Sequence, residues 1–357
     1  MTLNAMDEHK LIKIGIAHGN PNGIASELIL KTLNDAHLLE ICTPIVYGSS
    51  KVLAYHRKAI EVPPLNINNI AKVEDADVKR VNVINVTQLE IRVEIGKATP
   101  ESARYADMAL LRAVEDLQNN LIDALVIAPT SIDPVLLMHP LLNTPQEGFQ
   151  IWVNDTLRIA IATTAMNSSD ASAAMTQQSI TAKLIALHAG LTNDFMVLNP
   201  RIAVLALNTP AGKEEHEIIV PAIRAASDKG VQCFGVYDLE TFFASEEYKK
   251  FDAILALCQD QGKTIFHTLA KEENSLYIGG IPHIVASPNF YSTFEQAGKN
   301  ATPPDSLRNA IYMAVDIYHN RQTNAYIRRN PLKKQYFERG SDNEKLDLTK
   351  DDSALND

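Results

Sequence analysis

Cysteine is scarce in this chain. Cys42, Cys233 and Cys258 are far apart and odd in number, and no Cys-x-x-Cys pair occurs. That excludes a disulfide framework and a thiolate metal knuckle, and reads as free thiols in a reducing compartment. Long apolar runs are also missing: nothing approaches the roughly 20 residues a membrane helix needs. The opening residues, MTLNAMDEHK, are polar and lack the apolar centre of a secretory leader. Positive charge is in deficit. With 33 Lys and Arg against 43 Asp and Glu, the net charge is −10 and the pI about 5.5. Neither nucleic acid nor an anionic membrane is then expected as the main partner. The expectation is a cytoplasmic protein. His139, His216, His267 and His283 show no pair at ligand-like spacing and read as ordinary surface or core positions rather than as a new metal centre.

Apolar residues are plentiful, at 46% of 357, enough for two cores. Strand-like segments are 11–19, 42–50, 80–86, 123–129, 157–164, 201–208, 231–238, 251–259 and 276–287. Between them run helical patterns, such as 101–120 with Ala103, Ala106, Leu110, Ala113 and Leu117 on one face. Further helices are predicted after Gly23, over 50–60 and 179–195, over 214–230 with Pro221 inside and Gly230 as its stop, and over 304–322. This alternation predicts an α/β protein with a largely parallel sheet. The charged residues 336–357 are expected to form a disordered tail.

Candidate chemistry gathers at strand exits, where α/β proteins bind ligands. One exit carries CQDQG, with Gln259 and Asp260 entering a helix that later presents His267. Asp260 reads as a ligand or base, or as a turn-capping carboxylate. Cys258, with no basic neighbour in sequence, reads as an inert buried thiol. Gly19 and Gly23 in GNPNGIASE suggest a helix N-terminus that offers backbone N–H groups to an anion, or a tight packing turn. Asn208 and Gly212 are a similar pair at another exit.

Four segments together resemble the 4-hydroxythreonine-4-phosphate dehydrogenase family of vitamin B6 biosynthesis: IGIAHGNPNGIASELILKTL, RIAVLALNTPAGKEEHEIIVPAI, FDAILALCQDQG and GGIPHIVASPNFYSTFEQAG. Their order and spacing match over roughly residues 11–320. The resemblance implies a two-domain α/β/α fold like isocitrate and isopropylmalate dehydrogenases, with 1–130 plus about 300–335 in one domain and about 131–299 in the other. It also implies an interdomain cleft, a homodimer, NAD as cofactor, a phosphorylated substrate and a divalent metal on three histidines. The metal would polarise the hydroxyl as hydride leaves and the ketone during decarboxylation.

The ligand positions do not follow the family. Ala165, Pro210 and Gln259 stand where its histidines are expected. His267 replaces a lysine, Leu276 an asparagine, Val285 an arginine, Ile132 a lysine and Asn20 an aspartate. The Asp-His-Gly-Thr turn becomes Asn289 to Thr293, and the substrate loop shortens to NTPQEG. The expectation is a family frame without its metal, degenerate for the family reaction, acting as a binding or partner subunit, for instance of an active paralogue. The rival expectation is an active NAD-dependent oxidoreductase with a rebuilt site and a different substrate.

Overall fold

The computed structural model describes residues 11–130, 141, 148–163, 165, 167–270, 274–288 and 294–329. Ile132, His139, Asn289 to Thr293, most of NTPQEG and the tail 336–357 lie outside them.

Twelve strands form one sheet: β1 (Ile12–Ala17), β2 (Cys42–Gly48), β3 (Ile67–Ile70), β4 (Val81–Asn85), β5 (Ala124–Ile127), β6 (Phe149–Val153), β7 (Arg158–Ile161), β8 (Arg201–Leu205), β9 (Gln232–Tyr237), β10 (Ala253–Ala256), β11 (Ser275–Gly279) and β12 (Ile284–Pro288). Their order is β3-β4-β2-β1-β5-β12-β11-β6-β7-β10-β8-β9. The pairs from β3 to β12 and from β7 to β9 are parallel. The three pairs between, β12–β11, β11–β6 and β6–β7, are antiparallel. Three reversals turn the second block over. The carboxyl ends of β1 and β5 therefore lie at one edge of the sheet and those of β7, β8 and β10 at the other.

The sheet is largely parallel, as expected, and departs from that in its middle, where 276–287, expected as one strand, is a hairpin. β11 ends at Gly279, and Gly280, with φ +81°, opens the turn into β12. A positive φ is where glycine costs least. β3 and β6 went unread in the sequence. The helix expected over 214–230 runs through a π-helical stretch, Glu215–Ile219, into the α-helical Val220–Ser227, and Pro221, which has no N–H to donate, directly follows the π-helical turn. The last helix, Asp305–Arg329, runs past its expected end.

Helices cover both faces. On one, Ile12, Ile14, Ile16, Val126, Ile151, Val204 and Leu255 form a single core that crosses the whole sheet, under Leu28, Leu53, Leu184, Ala222 and Ile311 of five helices. On the other, the core splits. Leu110, Ala113 and Val114 of Pro100–Gln118 pack on Leu125, Ile127, Ile278 and Val285. Phe242, Ile265 and Phe266 pack on Trp152, Ile159, Ala203 and Leu276. Each fully buried large aliphatic side chain contributes about 1.5–3 kcal/mol, so the continuous face supplies most of the cohesion between the blocks. A buried polar tie adds to it: Arg321 donates to Asp194 Oδ1 at 2.7 Å and to the Tyr277 hydroxyl at 2.8 Å, and that hydroxyl donates to Asp194 Oδ2 at 2.6 Å.

Local sequence sets the helix starts. Thr99 before Pro100 and Thr176 before Gln177 each form a reciprocal capping box with a serine three residues on, which satisfies N–H groups the first turn leaves orphaned.

Candidate functional site

The exits of β7, β10 and β8 are neighbours in the sheet and are laced together. Gln259 N–H donates to the Ala165 carbonyl at 2.9 Å, and Thr163 Oγ1 donates to the Leu257 carbonyl at 2.8 Å. The Gln261 side chain accepts from Leu257 N at 2.8 Å and donates to the Ala206 carbonyl at 2.7 Å. Ser172 Oγ donates to Glu214 at 2.7 Å, and Asn208 Nδ2 donates to the same carboxylate at 3.2 Å. Gly262 lets the helix Gln259–Leu269 lie on the sheet, since a Cβ there would sit 2.2 Å from Ile161 Cδ1. The loops that carry Ala165, Pro210 and Gln259 thus gather at one edge.

What they bring is not a metal site. Alanine and proline side chains have no lone pair to donate, and Gln259 offers one amide at a position 3% exposed. Among the described residues, no group of three or more His, Cys, Asp and Glu is placed to share an ion. The residues present do not fit the metal that the family resemblance implies. Asp260 is exposed in the first turn of its helix. His267 lies seven residues on, about 10 Å along the axis, beside Trp152 at 6.2 Å between ring centroids. Burial, then the neighbouring Lys263, lower its pKa. It belongs to the far end of that helix, not to the strand exits. His216 is exposed and His283 half-buried.

The candidate cofactor positions are occupied by structural work. Glu215, 1% exposed, accepts from Leu207 N at 2.9 Å, Asn208 N at 2.8 Å and Gly212 N at 2.6 Å. Its own carboxylate fills the turn that an anion would use. Burial pushes the Glu215 pKa up, but these donors outweigh it and hold the group below its ordinary value. At the opposite edge, a Cβ on Gly19 would lie 2.0 Å from the Pro129 carbonyl oxygen, so Gly19 is a close-packing residue. Gly23 N donates to the Asn20 carbonyl at 3.1 Å.

That second exit is a sealed polar turn. His18 is 1% exposed, Asn20 4%, and Asn22, Ser26, Glu27 and His56 are wholly buried. His18 Nδ1 meets the Gly19 carbonyl at 3.0 Å and Nε2 meets Ser26 Oγ at 3.0 Å. His56 Nε2 meets the Pro21 carbonyl at 2.6 Å. Glu27 accepts from the backbone N–H of Gly298 and from that of Asn300. Sequence reading missed Ser26, Glu27, His18 and His56. Glu27 in the first turn of its helix was the available signal, but its partners come from residues some 270 positions away.

Two of the positions expected to contact substrate lie in apolar surroundings. Leu276 is 5% exposed beside Trp152 and Phe266, and Val285 is fully buried with Leu125, Ile127 and Ile278. They belong to the split face, where its two cores meet. The three cysteines are free and buried, and burial raises the pKa of the Cys258 thiol. No helix among the described residues is long and apolar enough to cross a membrane.

Residues 40–314 match the family described as pyridoxal phosphate biosynthetic protein PdxA. A 4-hydroxythreonine-4-phosphate dehydrogenase of Bacteroides thetaiotaomicron is 39% identical, over 96% of this chain and 98% of its own. One from Aquifex aeolicus is 28% identical over 85% and 98%. Among solved structures, a 4-hydroxythreonine-4-phosphate dehydrogenase from Klebsiella pneumoniae superposes with a TM-score of 0.74 at 22% identity, covering 88% of this chain and 99% of that one.

Proposed function

This chain belongs to the pyridoxal phosphate biosynthetic protein PdxA family, and from that premise we propose that it keeps the family frame without the metal-assisted oxidation of 4-phosphohydroxythreonine. In this reading it is a binding or partner subunit, in homodimers or with an active paralogue, and its two units flank a ligand cleft. One observation carries the proposal. The three positions where the family resemblance expects histidines hold Ala165, Pro210 and Gln259 on exits that gather at one edge, and no other group of potential ligands among the described residues replaces them. Without a Lewis acid on the substrate oxygen, loss of the hydroxyl proton and of hydride is not assisted. Val285 adds to this. An anion in its apolar surroundings would lack a partner, at a cost of several kcal/mol.

A second reading has its own support. Identity of 39% along nearly the whole chain with a relative named as a dehydrogenase favours an NAD-dependent enzyme with a rebuilt site and another substrate. Two measurements test the first reading. Titration calorimetry with zinc is expected to show no stoichiometric binding. The absorbance of reduced nicotinamide is expected to stay flat with NAD, zinc and 4-phosphohydroxythreonine. Metal-dependent turnover of that substrate would overturn the first reading. Zinc binding that is lost in His267→Ala or His283→Ala would instead favour the rebuilt site.

A further inference from the structure

The turn at the exit of β1 is held by two imidazoles from different elements. A carbonyl oxygen can only accept, so the Gly19 contact puts the single proton of neutral His18 on Nδ1, and Nε2 accepts from the Ser26 hydroxyl. By the same logic the Pro21 contact puts the proton of His56 on Nε2. His56 Nδ1 is buried with no partner. In their neutral forms the two rings pin residues 19 and 21.

The turn in turn holds a second segment. Asn22 Nδ2 donates to the Lys97 carbonyl at 2.9 Å and to Thr99 Oγ1 at 3.3 Å, and its Oδ1 accepts from Glu94 N at 2.9 Å. Gly96 N donates to the Asn22 carbonyl at 2.8 Å. Residues 86–99 have neither helix nor strand, so these bonds are a large part of what orders 94–99.

Among the described residues, no carboxylate is paired with either ring. Tyr105, from Pro100–Gln118, faces His18 edge-on at 5.4 Å, and Tyr55 faces His56 at 5.9 Å. The helix Ala25–Leu33 brings Ser26, and its Glu27 is turned to Gly298 and Asn300. A second proton on His18 would aim Nε2–H at a hydroxyl that now donates. On His56 it would create a buried donor with no acceptor. Burial, and for His18 also the proximity of His56, hold both rings below their ordinary range; the Gly19 and Pro21 carbonyls only partly offset this, leaving His18 at about 4.

We propose that this turn is an acid-released latch: protonation of the His18–His56 pair frees residues 18–26 together with 94–99 while the second block of the sheet stays folded. The second block carries no such pair of buried imidazoles on a strand exit among the described residues. Opening lets the rings take up protons at their ordinary pKa.

Hydrogen exchange read by mass spectrometry, corrected for intrinsic rate, tests the latch on the full chain at pH 7.5 and pH 5.0. For His18 alone, linkage predicts that the opening equilibrium rises roughly 30-fold between those values. Peptides spanning 18–26 and 94–99 should lose protection by that order, and those spanning β7 and β10 should not. His56→Gln, whose amide can still donate to Pro21, should reduce the pH response. Unchanged protection of 18–26 in the wild type at pH 5.0 would overturn the proposal, and so would equal loss across all peptides, which means global unfolding. The wild-type comparison decides the matter even if the variant does not fold.

Discussion

The two edges of the sheet solve one packing problem with different chemistry. Each brings strand exits together and must satisfy the backbone N–H groups of tight turns. At the β8 exit a buried carboxylate, Glu215, collects three of them. At the β1 exit Glu27 collects N–H groups from the distant 298–300 turn, while two neutral imidazoles take carbonyls. The carboxylate edge is the one whose expected metal ligands are gone, yet its frame persists. Asn208, Gly212, Gln261 and Gly262 have jobs that need no ligand.

The largest expected effect compares close approaches. Gly19→Ala drives a methyl to 2.0 Å from a backbone carbonyl oxygen, which cannot swing away, so we expect a loss of about 3 kcal/mol or more. Gly262→Ala meets the flexible end of Ile161 instead and should cost about 1–2 kcal/mol. Urea unfolding of both variants checks the ranking. Equal losses would mean that the Gly19 approach is less rigid than its geometry implies.

Next come the carboxylates. Glu215→Gln leaves one amide oxygen for three N–H groups and should cost about 2–3 kcal/mol. Glu27→Gln, with two N–H groups to satisfy, should cost somewhat less. Thermal and urea melts of the pair give the difference directly.

Acid should attack the edges in sequence. The unfolded chain protonates His18 at its ordinary value of 6.5, the folded chain only near 4. The associated stability is full above pH 6.5 and is lost as pH falls towards 4, up to about 3 kcal/mol. Glu215 has the same sign in a lower pH window, since its folded pKa also lies below its ordinary value. Its contribution is present above the ordinary carboxylate value and disappears only as pH falls through the folded one. A stability profile from pH 7.5 to 3.5 should thus show two declines. Glu215→Gln should remove the lower one and leave the upper.

The smallest expected effect is on catalysis. Ala165→His, Pro210→His and Gln259→His together should restore no NAD reduction with 4-phosphohydroxythreonine, because Leu276 and Val285 still present hydrocarbon where polar contacts are expected. Turnover in the triple variant would show that the metal alone had been lacking.

The strand–helix alternation was legible because side-chain period is a local property, and so were the glycine turns. Gln259, Pro210 and Ala165 could be named from segment order and do ride on adjacent exits. The absence of ligating side chains there was plain from residue identity. What the sequence did not disclose is relational. The hairpin between β11 and β12 looked like one apolar strand, since a turn that opens with Gly-Ile-Pro keeps hydrophobic character. From that hairpin and the unread β6 follow the reversals that set the two groups of exits at opposite edges. The work of Glu215, seven residues from Asn208, was hidden because a charged helix start reads as solvent-facing until the loop before it closes around the carboxylate. His18 and His56 looked unremarkable 38 positions apart. Only the packing of two helices against β1 and β2 buries both rings on one turn, and burial, which depends on the whole fold, sets their proton affinity.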